Sequence, residues 1–268
     1  MTNAPIFFDP NKVGTVYKTD YATLAQQASK DSQANKVPSA KGDKVKTSLV
    51  LIDVQNTFCI PGFELFVGGR SGNGAVEDNR RLCEFIYANL STITDITATL
   101  DTHRPAQIFH PLFFVDQNGQ HPNPYTDIHA ADLIANKWIF NPALAASLGI
   151  NAEDGRKLTI DYCEKLEEKG KYALTIWPYH AMLGGIGHAL VSAVEEAAFY
   201  HSILRQADFD IRIKGDNAFT ENYSAISPEV VFGLGGKQLG QPDEAIFKKL
   251  TTCDRMVIAG QAKSHCVA

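Results

Sequence analysis

Three signatures are missing from this sequence: paired cysteines, a long apolar run and a basic stripe. Its five cysteines (Cys59, Cys83, Cys163, Cys253 and Cys266) are odd in number, irregularly spaced and without a CxxC pair. That pattern fits reduced thiols in a cytosolic protein better than a disulfide framework. The longest apolar runs are strand-sized, so no segment is expected to span a bilayer. Met1-Thr2-Asn3-Ala4-Pro5 has neither a basic n-region nor an apolar h-region, and no secretory signal is visible. With a net charge of −5 and no clustered Lys/Arg, nucleic acid is not expected as the main partner. Phosphate loops are missing too. Gly233-Leu234-Gly235-Gly236-Lys237-Gln238 departs from the Walker pattern at Val231 and Gln238, and Gly184-Gly185-Ile186-Gly187 lacks dinucleotide-fingerprint spacing. There is no internal repeat.

What remains is a globular composition. At 268 residues with 44% hydrophobic and 21% charged side chains, the chain can bury a substantial core as one large domain or a domain with an insertion. Residues 1–45 are polar and read as an extended N-terminal arm with at most a short helix. Residues 46–268 carry strand and helix patterns in alternation. Thr47–Val54 is a nearly continuous apolar run, as a strand buried on both faces should be. Residues 74–93 show helical spacing at Val76, Leu82, Phe85, Ile86 and Leu90. Further strands are expected at Ile93–Leu100, Tyr172–Trp177, Phe209–Ile213 and Arg255–Ala259, with helices near 187–202 and 243–250. This alternation predicts an α/β fold, a three-layer open sheet of mostly parallel strands with helices on both faces. Residues 115–171, in which Ala131–Ala135 and Asp161–Gly170 look helical, are expected to form an inserted subdomain, since a structureless loop of that length is implausible.

Chemistry-bearing residues collect at the ends of the expected strands, where open α/β sheets bind ligands. Cys266 follows strand, glycine and polar turn in Val257-Ile258-Ala259-Gly260-Gln261-Ala262-Lys263-Ser264-His265-Cys266, a setting where backbone N–H groups can stabilise an oxyanion. Asp53 closes the first strand; burial there raises a carboxyl pKa and suits it to acid–base work, although a strand-end Asp also caps turns. Lys214 closes Asp210–Lys214, and its ammonium beside a thiol favours the thiolate. Asp101-Thr102-His103 and Trp177-Pro178-Tyr179-His180 supply a carboxylate and two imidazoles, a donor set for Zn²⁺, Mn²⁺ or Fe²⁺. His110, His121 and His129 are alternative ligands. The other four cysteines lack the context of Cys266 and read as inert.

Together these segments resemble the isochorismatase-like cysteine hydrolases, and within them the nicotinamidases, from about residue 46 onward. Leu51-Ile52-Asp53-Val54-Gln55-Asn56-Thr57-Phe58 is similar to the family's Asp-Xaa-Gln-Asn-Asp-Phe opening, followed by Pro61-Gly62 and Val67-Gly68-Gly69. Gly260–Val267 has the spacing of Gly-Val-Ala-Thr-Asp-Tyr-Cys-Val, and Lys214-Gly215 with Tyr223-Ser224-Ala225 falls where the family has its lysine. The resemblance implies a catalytic triad of Asp53, Lys214 and Cys266, a cis Gln261–Ala262 peptide, and an oxyanion hole from the N–H groups of Ala262 and Cys266. It also implies a divalent metal ion, zinc first with manganese or iron as alternatives, on Asp101, His103 and His180. Thr102 and Ala181 stand where that branch has Trp and Cys, and the separation of His103 from His180 is longer than usual.

Phe58 and Trp177 are expected to wall the substrate pocket or else to pack in the core. The implied reaction is hydrolysis of a small amide to acid and ammonia through a cysteine thioester. Another small amide, imide or ureide, or a non-catalytic ligand-binding homologue, are the alternatives. The expected partner is the small-molecule substrate, with neither nucleic acid nor membrane, in a cytoplasmic homo-oligomer. Because a helix normally follows the cysteine in this fold, the natural chain is expected to continue past Ala268.

Overall fold

The structure, a computed structural model, describes residues 5–170 and 173–267. Met1–Ala4, Tyr172 of the expected strand and the terminal Ala268 lie outside the described residues. The strands are β1 (Thr47–Ile52), β2 (Asp95–Asp101), β3 (Phe114–Val115), β4 (Asp127–Ile128), β5 (Ile139–Phe140), β6 (Leu174–Thr175), β7 (Phe209–Lys214) and β8 (Arg255–Gly260). The α-helices are α1 (Tyr21–Ala34), α2 (Asn56–Cys59), α3 (Gly74–Ala88), α4 (Ala130–Ile134), α5 (Ala152–Glu168), α6 (Ser192–Arg205) and α7 (Glu244–Thr252). Two compact units result, one from Met1–Asp101, Gly184–Lys214 and Glu244–Ala268, the other from Thr102–Leu183 and Gly215–Asp243.

The first unit is built on a parallel sheet in the order β7-β2-β1-β8, with helices around it. All six residues of β1, a central strand between β2 and β8, are buried, which is why its sequence reads as a nearly continuous apolar run. Leu49, Leu51, Ile96 and Ala98 share one face and pack with Cys83 and Ile86 of α3 and Val194, Ala197 and Ala198 of α6. The alternate residues Asp95, Thr97, Thr99, Asp101, Asp210 and Lys214 belong to the opposite face. There Lys249 of α7 brings its Nζ to 3.4 Å from Asp95 Oδ1 and 3.7 Å from Asp210 Oδ2.

Two expectations change in this unit. The N-terminal segment is not an extended arm with a short helix: α1 runs for 14 residues, capped by Asp20, whose Oδ1 accepts from Thr23 N at 3.2 Å. Its Leu24 and Ala28 are buried in the core with α6. Helix α6 begins at Ser192 rather than near 187. The preceding backbone is used by the loop after β1, where Asn56 N donates to Ala189 O, Thr57 N to Gly187 O and Val191 N to Val54 O.

The second unit has its own core of Ile108, Phe109, Phe113, Phe114, Phe140, Tyr162 and Leu166. Antiparallel pairs β3–β5 and β4–β6 lie beside α4 and α5. At Gly155 of α5 a Cβ would stand 2.3 Å from the Phe140 ring, so the helix approaches that side chain at a distance only glycine permits. Helix α5 starts at Ala152, nine residues before the expected segment, on an Asn151 cap that accepts from Asp154 N. The expected strand at Tyr172–Trp177 shortens to β6 and pairs antiparallel with β4 instead of joining the parallel sheet. Its continuation bonds to distant segments of the same unit, Ile176 N to Thr126 O and Trp177 N to Phe109 O. Among the described residues no helix is long and apolar enough to cross a membrane.

Candidate active site

In the first unit the parallel register sets the strand ends side by side. Ile52 pairs with Gly260 and Asp101 with Lys214, so β1, β2, β7 and β8 finish at one edge. Asp53 follows β1 at φ 50°, a left-handed conformation that costs energy for a non-glycine residue. Gly260 adopts φ 136°, and a Cβ there would lie 2.0 Å from Ile52 O. Only glycine lets β8 come this close to β1 before turning away. Beyond it the Gln261–Ala262 peptide is cis, and Gln261 is held by N–H donation to Ile52 O and by Nε2 donation to Asp78 Oδ2 at 3.2 Å. The turn that follows carries Cys266.

Lys214 is the centre of this edge. Its Nζ lies 3.0 Å from Asp53 Oδ2, 3.0 Å from Asp101 Oδ1 and 3.8 Å from Cys266 Sγ. Asp53, Asp101 and Lys214 are all buried. Thr99 donates to Asp53 Oδ1 at 2.5 Å and accepts the Asp53 N–H at 3.0 Å. Gln55, fully buried, fixes the backbone of Asp101 from both sides: its Nε2 donates to Asp101 O and its Oε1 accepts from Asp101 N, each at 2.8 Å. Gln55 was legible only as part of a motif, and Thr99 carried no sequence signal beyond being a threonine in a strand.

The charges explain the resting protonation. Burial pulls Lys214 down, but Asp101 and Asp53 more than offset it and hold the ammonium above its ordinary value. Burial pushes Asp53 up, opposed by Lys214 and by the Thr99 hydrogen bond. For Cys266 burial also wins: the thiol is held well above its ordinary value despite Lys214, with Asp53 and Asp101 adding to the rise. Lys214 does favour the thiolate, as expected, but burial outweighs it and leaves a thiol beside a carboxylate.

In the second unit the structure brings His103 and His180 together, with ring centroids 4.6 Å apart and both side chains buried. The backbone ties their segments: His103 N donates to Ala181 O and Leu183 N to His103 O, both at 3.0 Å. His103 Nδ1 faces Gly215 O at 3.4 Å and His180 Nδ1 faces Pro178 O at 2.7 Å. A ring that donates Nδ1–H to a carbonyl keeps its lone pair at Nε2, where it can be given to a metal ion. His110 is close by, its ring 5.7 Å from His103 and 6.0 Å from His180, and burial and these neighbours lower its pKa to about 3. His121 is engaged with Phe114 O and His129 with Glu167. Asp101 ends the first unit two residues before His103.

Phe58 packs in the core of the first unit, and Trp177 rests against the core of the second with Nε1 donating to Tyr223 Oη at 3.1 Å. Cys59, Cys83 and Cys163 are buried, and burial pushes the Cys59 thiol up to about 12.

Neither family models nor curated proteins match this chain. Solved structures do. The yeast nicotinamidase Pnc1p bound to the inhibitor nicotinaldehyde is similar with a TM-score of 0.50 at 16% identity, over 83% of this chain and 78% of that one. A second structure of yeast Pnc1p gives 0.49 at 18% identity over the same shares. A pyrazinamidase of Pyrococcus horikoshii in complex with zinc gives 0.39 at 18%, over 83% and 74%. At these identities the likeness concerns architecture: the chain shares the fold of the yeast nicotinamidase structure.

Proposed function

We propose that this chain is a cysteine amidohydrolase of nicotinamidase type, cleaving a small amide to acid and ammonia. The observation that carries the reading is one buried ammonium, Lys214, within reach of two buried carboxylates and a thiol at the carboxyl edge of a parallel sheet. Burying three charges together is costly for stability, and a purely binding protein has no use for the arrangement.

The chemistry follows from the protonation states. Cys266 rests as a thiol, so attack on the amide carbonyl requires a base, and Asp53 is the carboxylate that Lys214 links to the sulfur. As the C–S bond forms, the S–H proton passes to Asp53 and Lys214 stabilises the negative charge passing through sulfur. The carbonyl oxygen takes up charge against the N–H groups of Ala262 and Cys266, an interaction worth roughly 3–4 kcal/mol per donor. Collapse breaks the C–N bond, and Asp53 protonates departing ammonia. Water then gives a proton to Asp53 and attacks the thioester; the C–S bond breaks, and Asp53 returns the proton to the departing sulfur, freeing the acid and restoring the thiol.

Asp101, His103 and His180 are the residues that would hold a divalent metal ion. One carboxylate and two Nε2 lone pairs, with both rings fixed through Nδ1, fit zinc, manganese or iron. Such an ion supplies a Lewis acid for a ring nitrogen of a heterocyclic amide, orienting it rather than activating water.

The test is ammonia release across nicotinamide, pyrazinamide and simple ureides, with and without chelator. Release from a heterocyclic amide, abolished in Cys266→Ala with the fold retained, is expected. Turnover at the wild-type rate in a clean Cys266→Ala preparation would refute the nucleophile, and activity confined to ureides would replace the substrate class.

A further inference from the structure

We propose that Thr99 is a positioning residue that decides which oxygen of Asp53 carries the transferred proton. Its kinetic consequence rests on the function proposed above, but its effect on the thiol does not.

Thr99 lies on β2, fully buried, and directs both of its hydrogen bonds at Asp53. A hydroxyl has one proton. Because Oγ1 accepts the Asp53 N–H at 3.0 Å, its own hydrogen is donated to Asp53 Oδ1 at 2.5 Å. Oδ1 is therefore committed as an acceptor. Oδ2 is the oxygen 3.0 Å from Lys214 Nζ, and that same Nζ is 3.8 Å from Cys266 Sγ. The proton leaving sulfur goes to Oδ2: the S–H bond breaks with its electron pair left on sulfur, and an O–H bond forms at Oδ2. Negative charge moves from the carboxylate to a sulfur facing the Lys214 ammonium. The same oxygen then serves ammonia and water.

The threonine also pins the backbone. Asp53 stands at φ 50°, and the bond from its N–H to Thr99 Oγ1 ties that left-handed residue to the neighbouring strand. Valine has nearly the shape of threonine without the hydroxyl. In Thr99→Val the Asp53 N–H and Oδ1 both lose their buried partner, and the carboxylate is free to turn about its last torsion. Serine keeps the hydroxyl.

The experiment compares wild type, Thr99→Val and Thr99→Ser as full chains. Iodoacetamide alkylation of Cys266, followed at the Cys266 peptide by mass spectrometry, needs no substrate, and Cys253 serves as the internal control. Alkylation of Cys266 is expected to slow by about ten-fold or more in Thr99→Val and to recover in Thr99→Ser, with Cys253 unchanged. In the amide assay kcat should fall with KM held within about two-fold, again recovering with serine. Should Thr99→Val fail to fold, Thr99→Ala takes its place. Wild-type alkylation in the hydroxyl-free variant, or a serine variant as slow as the valine one, overturns the proposal. A wild type that alkylates as described but hydrolyses no amide overturns the function and leaves the assignment of Thr99 standing.

Discussion

Gly260 shows how much a single residue decides at this edge. Its φ of 136° and the 2.0 Å separation from Ile52 O to an added Cβ leave no room for a side chain between β8 and β1. Gly260→Ala is expected to lower stability by about 2–4 kcal/mol, by combining backbone strain with a clash against a central strand. Urea titration measures the loss; a change below about 0.5 kcal/mol would contradict this reading. Sequence pattern pointed to Asp53, Lys214 and Cys266 because each closes an expected strand or its turn. It did not identify Thr99, since a hydroxyl in a strand looks the same whether it faces solvent, core or a carboxylate. Nor did it give the resting state of Cys266, which depends on how completely the thiol is buried among Lys214, Asp53 and Asp101.

At the scale of elements, α1 and α6 form a docked pair. Leu24 of α1 is 6% exposed within the first core, so Leu24→Ala is expected to cost about 2–5 kcal/mol. Unchanged denaturant resistance would mean that α1 is not part of the cooperative unit. Near this pair, Glu195 and Glu196 of α6 are partly buried and held above their ordinary value of 4.5, chiefly by burial, while Thr19 donates to Glu195 Oε2 at 3.0 Å. The sign follows from linkage. As pH rises past 4.5 the unfolded carboxyls ionise first, so the unfolded state gains relative to the native one until the folded carboxyls ionise too. Their contribution to stability therefore falls with rising pH across that window. Glu195→Gln with Glu196→Gln is expected to remove the fall and raise the melting temperature at neutral pH relative to wild type. A steeper loss in the double variant would reverse the assignment.

For the whole molecule, metal content is the sharpest observable. His180→Ala is expected to reduce bound zinc, manganese or iron well below one equivalent per chain while the secondary structure is retained; unchanged stoichiometry by elemental analysis would remove His180 as a ligand. The proposed homo-oligomer is read by light scattering during gel filtration, where a monomeric mass at assay concentration counts against it.

By itself the sequence determined the alternation of strands and helices, the strand ends at which the residues proposed as reactive stand, and the candidate donor set for a metal. These are local properties: apolar runs reflect strands covered on both faces, and a polar residue closing such a run marks the strand's end. Only the tertiary structure decided that β7, β2, β1 and β8 lie side by side in that order, which brings Asp53, Asp101, Lys214 and Cys266 together across more than half the chain's length. It also decided that the stretch ending in Trp177 leaves the parallel sheet for an antiparallel pair, and that the N-terminal segment is a docked helix. The reason is the same in each case: pairing and burial depend on partners distant in sequence, and the charge state of a buried group depends on all of them at once.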